Sequence, residues 1–210
     1  MTQNNEIMAL TQAIQKNQND SEAYYKRGYA YSSMNDLDKA IADYDQAIRL
    51  NSKNPQYICN RGVAYYKKDD FDRAIRDFTE SLKIDPSGNH TFGNGHVYYL
   101  RGEAYASIGN IDAAISDFTR AIEINPKNPN LFIQRALMYF QKQDPVKIIS
   151  DCSKAIELTP NEYRFYNMRA TVYEIVGDIE NAIKDLEIIL RLNPNDSETQ
   201  QKLREMKSHA

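Results

Sequence analysis

Three histidines and two cysteines are the side chains of this 210-residue chain best suited to metal or nucleophilic chemistry. His90 and His96 stand near Asp85 in sequence and offer a nominal ligand set, but their spacing matches no metal motif. His209 is far away at the tail. Cys59 and Cys152 have neither metal-like nor redox-like spacing and read as two reduced thiols, with Cys152 a small buried hydrophobe. There is no helix-borne histidine pair, no phosphate-cradling glycine loop and no nucleophile elbow. The sequence therefore supports no catalytic residue, no metal and no cofactor, and the chain is read as a non-enzyme.

The chemistry that does recur is ionic. Arginine stands at 27, 61, 101, 135 and 169, at intervals of 34, 40, 34 and 34 residues. Aspartate follows each at the same distance, as Asp43, Asp77, Asp117, Asp151 and Asp185. Both slots flank core positions, since Arg27 precedes Gly28 and Asp43 precedes Tyr44. Charge beside a core is tolerated when it is paired and hydrogen-bonded. The spacing therefore predicts a ladder of bidentate Arg–carboxylate pairs within or between repeats.

Those pairs need helices to hold them, and the surrounding pattern supplies helices. From Leu37 the apolar residues Ala40, Ile41, Tyr44, Ala47 and Ile48 recur at three- and four-residue steps. Asp36, Asp70, Asn110, Asp144 and Asp178 are placed to cap the second helix of each hairpin. Pro86, Pro126, Pro160 and Pro194 stop those helices. A period in this range marks an all-α solenoid of stacked helix-turn-helix units. Five units are expected, at 21–54, 55–88, 95–128, 129–162 and 163–196. A capping helix lies at 6–18 and another at 197–208. The six extra residues of the long interval, 89–94, form an inserted loop.

Composition narrows the partners. A net charge of −3 and the lack of a basic stripe argue against nucleic acid. The longest apolar runs, such as Ile188-Ile189-Leu190, are too short to span a bilayer, so no membrane insertion is expected. The polar start at Met1 to Asn5 shows no secretory signal, which favours the cytoplasm.

Nearly the whole chain resembles the tetratricopeptide repeat family. Repeat two carries its signature as Ile58, Gly62, Tyr65, Ala74, Phe78 and Pro86. Repeat three does so as Tyr98, Gly102, Tyr105, Ala114, Phe118, Ala121 and Pro126. Repeat four departs, with Ala136 for glycine, Ile148 for alanine and Cys152 for the aromatic. The arginine slot is usually apolar in the family and the aspartate slot usually aromatic, so here the two have changed together.

The resemblance implies a right-handed α-solenoid and a non-catalytic protein-interaction scaffold whose first helices line a concave groove for a peptide or helix of a protein partner. On the stripe opposite the packing face, the expected groove residues are Tyr25, Tyr29, Asn60, Tyr66, Tyr99, Gln134, Phe140 and Asn167. The tyrosines would supply contact area, and Asn60, Gln134 and Asn167 hydrogen bonds to a peptide backbone. Of the residues needed for a two-carboxylate clamp on chaperone tails, only Asn60 is present. The alternative is a self-assembly module forming homo-oligomers through the end helices or the 89–94 loop.

Overall fold

The computed structural model describes residues 2–86 and 93–209. Twelve helices and no strand occur among the described residues. The chain divides into two compact units, Met1–Ala113 and Ala114–Ala210. The first contains α1 (Gln3–Lys16), α2 (Ser21–Ser33), α3 (Leu37–Leu50), α4 (Pro55–Lys67), α5 (Phe71–Ile84) and α6 (Gly93–Ser107). The boundary falls within α7 (Ile111–Ile124). The second unit continues through α8 (Pro129–Gln141), α9 (Pro145–Leu158), α10 (Tyr163–Ile175), α11 (Ile179–Leu192) and α12 (Ser197–His209).

Each hairpin is closed by the same local device. The second residue after the first helix adopts a left-handed backbone: Asn35 at φ 61°, Asp69 at 58°, Gly109 at 77°, Gln143 at 55° and Gly177 at 79°. The next residue donates its N–H back to the carbonyl of a tyrosine five residues earlier, as in Asp36 to Tyr31 at 2.9 Å and Asp178 to Tyr173 at 2.8 Å. Its side chain then caps the second helix. Asp70 accepts from the Arg73 N–H, Asp144 from Lys147 and Asp178 from Asn181. One two-residue turn thus satisfies the end of one helix and the start of the next.

In the first two hairpins the helices approach closely because glycine sits at the crossing. A Cβ added at Gly28 would lie 2.9 Å from Tyr44 Cε1 and 3.1 Å from the Ala40 carbonyl oxygen. At Gly62 it would lie 3.0 Å from Phe78 and 3.1 Å from the Asp77 Cβ. The cores lie along these crossings. In the first unit Cys59, Tyr65, Ala74, Phe78, Leu82 and Val97 pack together. In the second, Ala136, Ile148, Cys152 and Val172 pack together, and Ala170, Ala182, Leu186 and Ile189 form the next cluster with Tyr166 and Met206.

Two end segments act as half-hairpins. In the first unit α1 packs on α2, burying Ile14, and in the second α12 packs on α11 and buries Met206. Gly93 and Asn94, expected in the 89–94 loop, belong to α6, which Gly93 enters with φ +64°. Residues 87–92, including His90, lie outside the described residues. No described helix is long and apolar enough to cross a membrane.

Candidate functional site

The arginines and aspartates come first, because they fix how the first helices stand. Arg27 donates from Nε and Nη2 to the two carboxylate oxygens of Asp43, at 2.8 and 2.7 Å. Arg61 meets Asp77 in the same fork at 2.8 Å twice. Arg135 meets Asp151 at 2.9 and 2.7 Å, and Arg169 meets Asp185 at 2.9 and 2.8 Å. The remaining predicted pair, Arg101 and Asp117, spans the two units and stays an expectation. The aspartates are buried, Asp185 to 2% exposure. Hydrogen bonds donated to those carboxylates hold the guanidinium groups of Arg27, Arg61, Arg135 and Arg169 above the ordinary arginine range. Aromatic rings flank the guanidinium groups, Tyr166 and Tyr173 each 5.8 Å from Arg169.

A third bond was not anticipated from the sequence. The remaining Nη1 of each arginine reaches back to the preceding second helix. Arg27 donates to Thr11 at 3.1 Å, Arg61 to Asp45 at 2.7 Å and Arg101 to Thr79 at 2.9 Å. Arg135 donates to Thr119 at 3.0 Å and Arg169 to Ser153 at 2.8 Å. Apart from Thr11, each acceptor stands two residues after a ladder aspartate. An oxygen-bearing residue recurring at that offset was the available signal. Each arginine therefore staples its hairpin to the helix before, and Arg27, Arg61, Arg135 and Arg169 also lock the two helices of their own hairpin.

In the first unit α2, α4 and α6 present one face. Tyr25 stacks on Tyr57 with ring centroids 4.8 Å apart, and its hydroxyl accepts from Gln56 Nε2 at 2.6 Å. Burial pushes the Tyr25 phenol up to about 12. The Tyr57 hydroxyl donates to Glu22 at 2.9 Å. Tyr29 stands open at 54% exposure. Tyr66 and Tyr99, from α4 and α6, are half-buried, and both donate to the carboxylate of Glu103, at 3.1 and 2.5 Å. His96 lies against Tyr99, centroids 6.0 Å apart, and partial desolvation lowers its pKa below the ordinary imidazole value.

Asn60 differs from the sequence reading. It is only 4% exposed, and its amide donates to the Gln56 carbonyl at 2.9 Å, so it braces α4 and offers no amide to a ligand. Cys59, on the same expected stripe, is fully buried. Both are drawn inward because α4 is covered on two sides, by the α2 face and by α5. In the second unit Gln134 is half-buried on α8, Asn167 is exposed on α10, and Phe140 is 51% exposed. Phe140 lines a groove of about 650 Å³ with Gln143, Pro145, Ile148, Val172 and Ile175. That groove lies at the closing turns and is built from hydrophobic walls with amide edges.

Neither cysteine is activated as a nucleophile. Burial raises the Cys59 and Cys152 thiols to about 12, which leaves them protonated and inert near neutrality. Among the described residues no cluster of three or more histidine, cysteine or carboxylate side chains could hold a metal ion. His90, one of the nominal ligands, is outside the described residues.

Comparison with known proteins agrees with the geometry. Tetratricopeptide repeat family models match residues 21–54, 55–87, 97–128 and 152–184. No curated protein sequence gives a significant match. Solved structures share the fold. One is YrrB, a TPR protein with an unusual peptide-binding site, at 21% identity and TM-score 0.77, covering 93% of this chain and 98% of that one. A MamA crystal structure has 22% identity and TM-score 0.76, covering 85% and 94%. The C-terminal part of a TPR repeat-containing protein from Cytophaga hutchinsonii has 21% identity and TM-score 0.78, covering 97% and 79%. Glycine or alanine at the helix crossings, a capped turn in every hairpin and family matches along the chain lead to one conclusion: this chain belongs to the tetratricopeptide repeat family.

Proposed function

We propose that this chain is a non-catalytic scaffold that holds an extended peptide of a partner protein against the face of its first helices. The observation that carries this reading is the tyrosine face of the first unit. Tyr29 is half open, while Tyr25, Tyr66 and Tyr99 are fixed beside it by hydrogen bonds that cost a ligand nothing to organise. Tyrosine combines a large rigid contact area with a polar tip and little conformational entropy to lose, the profile of an interface anchor. The solved TPR protein described as having a peptide-binding site lends support at the level of the fold.

The test is affinity capture from a native lysate with the wild-type chain and with a Tyr29→Ala/Tyr66→Ala variant whose helicity and melting are unchanged. Partner retention should fall at least tenfold in the variant, because two central aromatic anchors of this kind carry roughly 2 kcal/mol or more each. Equal retention would refute binding at this face.

A further inference from the structure

Glu103 does not belong to the repeat pattern. The equivalent position in the other first helices, two residues after the ladder arginine, holds Tyr29, Val63, Leu137 and Thr171, all uncharged. The hairpin can thus be built with no carboxylate there. Yet Glu103 is half-buried, and its two oxygens are held in place by separate tyrosine hydroxyls, Oε2 by Tyr66 on α4 and Oε1 by Tyr99 on its own helix. Two donors leave about half of a carboxylate's four acceptor positions open.

The charge itself is not neutralised. Among the described residues no lysine, arginine or histidine nitrogen lies within salt-bridge distance of Glu103, although every ladder aspartate described above has its arginine. Of the cations on this face, Lys26 pairs with Glu22 at 3.4 Å, and Lys67 is exposed and bridges no carboxylate. Desolvation holds the His96 imidazole on α6 toward its neutral form, outweighing the pull of the Glu103 charge, which raises its pKa. The charge of Glu103 also adds to the burial that drives the Tyr66 phenol up to about 12, which keeps that hydroxyl a donor. A fixed, partly desolvated carboxylate framed by two aromatic rings has one natural complement. A planar cation can bond both oxygens at once and lay its face on an aromatic ring.

We infer that Glu103, positioned by Tyr66 and Tyr99, is the seat for an arginine side chain of the bound peptide, so that the face selects peptides with arginine at one register. Arginine fits better than lysine because its guanidinium is planar, bidentate and weakly hydrated, whereas an ammonium is a compact, strongly hydrated point charge. The arginine preference rests on the peptide-binding reading above and adds to it the chemistry of the ligand.

The experiment is a random dodecapeptide display library panned on the full chain, with counter-selection on Tyr29→Ala/Tyr66→Ala to retain peptides that need this face. Selected peptides are synthesised with arginine, with citrulline (the same shape without the charge) and with lysine at the enriched position, and binding is followed by fluorescence anisotropy. The arginine peptide should bind about tenfold more tightly than the citrulline peptide, with the lysine peptide between them. Glu103→Gln, checked by its melting curve, should bind the arginine and citrulline peptides equally. The citrulline comparison on the wild-type chain needs no variant and holds whatever Glu103→Gln does to folding. Face-dependent peptides without a basic position, equal affinity for citrulline, or discrimination surviving in Glu103→Gln would overturn the arginine seat and leave the peptide-binding face standing. Lysine binding as well as arginine would overturn the stacked guanidinium. A library yielding no peptide dependent on Tyr29 and Tyr66 would overturn both.

Discussion

The ladder arginines show why two charges can sit beside a hydrophobic core in repeat after repeat. Arg135 and Asp151 satisfy each other with two parallel bonds at 2.9 and 2.7 Å, Thr119 takes a third, and Phe132 and Tyr139 flank the guanidinium at 6.0 Å. Breaking one side should therefore cost far more than removing both. Arg135→Ala leaves Asp151, at 3% exposure, as a buried charge without its partner. We expect a loss of about 3–5 kcal/mol in denaturant unfolding, whereas Arg135→Met with Asp151→Leu should lie within about 1 kcal/mol of wild type. A single variant as stable as the double would show that the pair is solvated and unimportant. That arginine pairs with aspartate was legible in the sequence because the two recur together. Whether they pair within a repeat or between neighbours was left open there, and the structure places the four described pairs within the hairpin. The third bond was not legible, since a threonine or serine on a helix has many structural uses and only its place against the next arginine singles it out.

At the scale of the helical pair, three side chains trade volume at each crossing. Gly62 leaves room for the ring of Phe78, with Ala74 beside it. In the fourth hairpin Ala136 replaces the glycine, Cys152 replaces the ring and Ile148 replaces the alanine, and all three are buried in one cluster. In the fifth, Ala170 faces Leu186. Volume gained on one helix is released on the other, the kind of exchange a packed interior tolerates. Gly62→Ala would push a methyl to 3.0 Å from Phe78, and crowding of that kind costs about 1–3 kcal/mol against the roughly 1 kcal/mol that alanine contributes as a better helix former. We expect Gly62→Ala to be destabilising, and Phe78→Leu to be less harmful in its presence than alone. Additive effects in the double-mutant cycle would show that the crossing does not couple them. The substitutions of the fourth hairpin look like damage when read one at a time in sequence, and become a compensated set once the helices are paired.

At the scale of the whole molecule, stability is built from neighbours. Within each unit a helix packs on the helices before and after it, and each arginine staple reaches back only as far as the preceding second helix. Coupling in such an array is dominated by adjacent interfaces. In the Arg135→Ala variant, amide exchange should accelerate most in α8 and α9, while α2 to α5 of the first unit keep nearly their wild-type protection. Uniform acceleration along the chain would instead mean that it unfolds as one cooperative block.

The sequence by itself determined the helices, their caps and turns and the family, because these depend on interactions between residues a few positions apart and repeat five times. It also specified the alternation of arginine and aspartate, since a periodic charge beside a core demands a periodic partner. Only the tertiary structure decided which residues of the first helices remain available. Asn60 and Cys59 turned inward, Tyr29 stayed open, and Glu103 met a tyrosine from the neighbouring helix. Helical period gives the direction of a side chain about its own axis, but exposure is set by what the adjacent helix places on top of it.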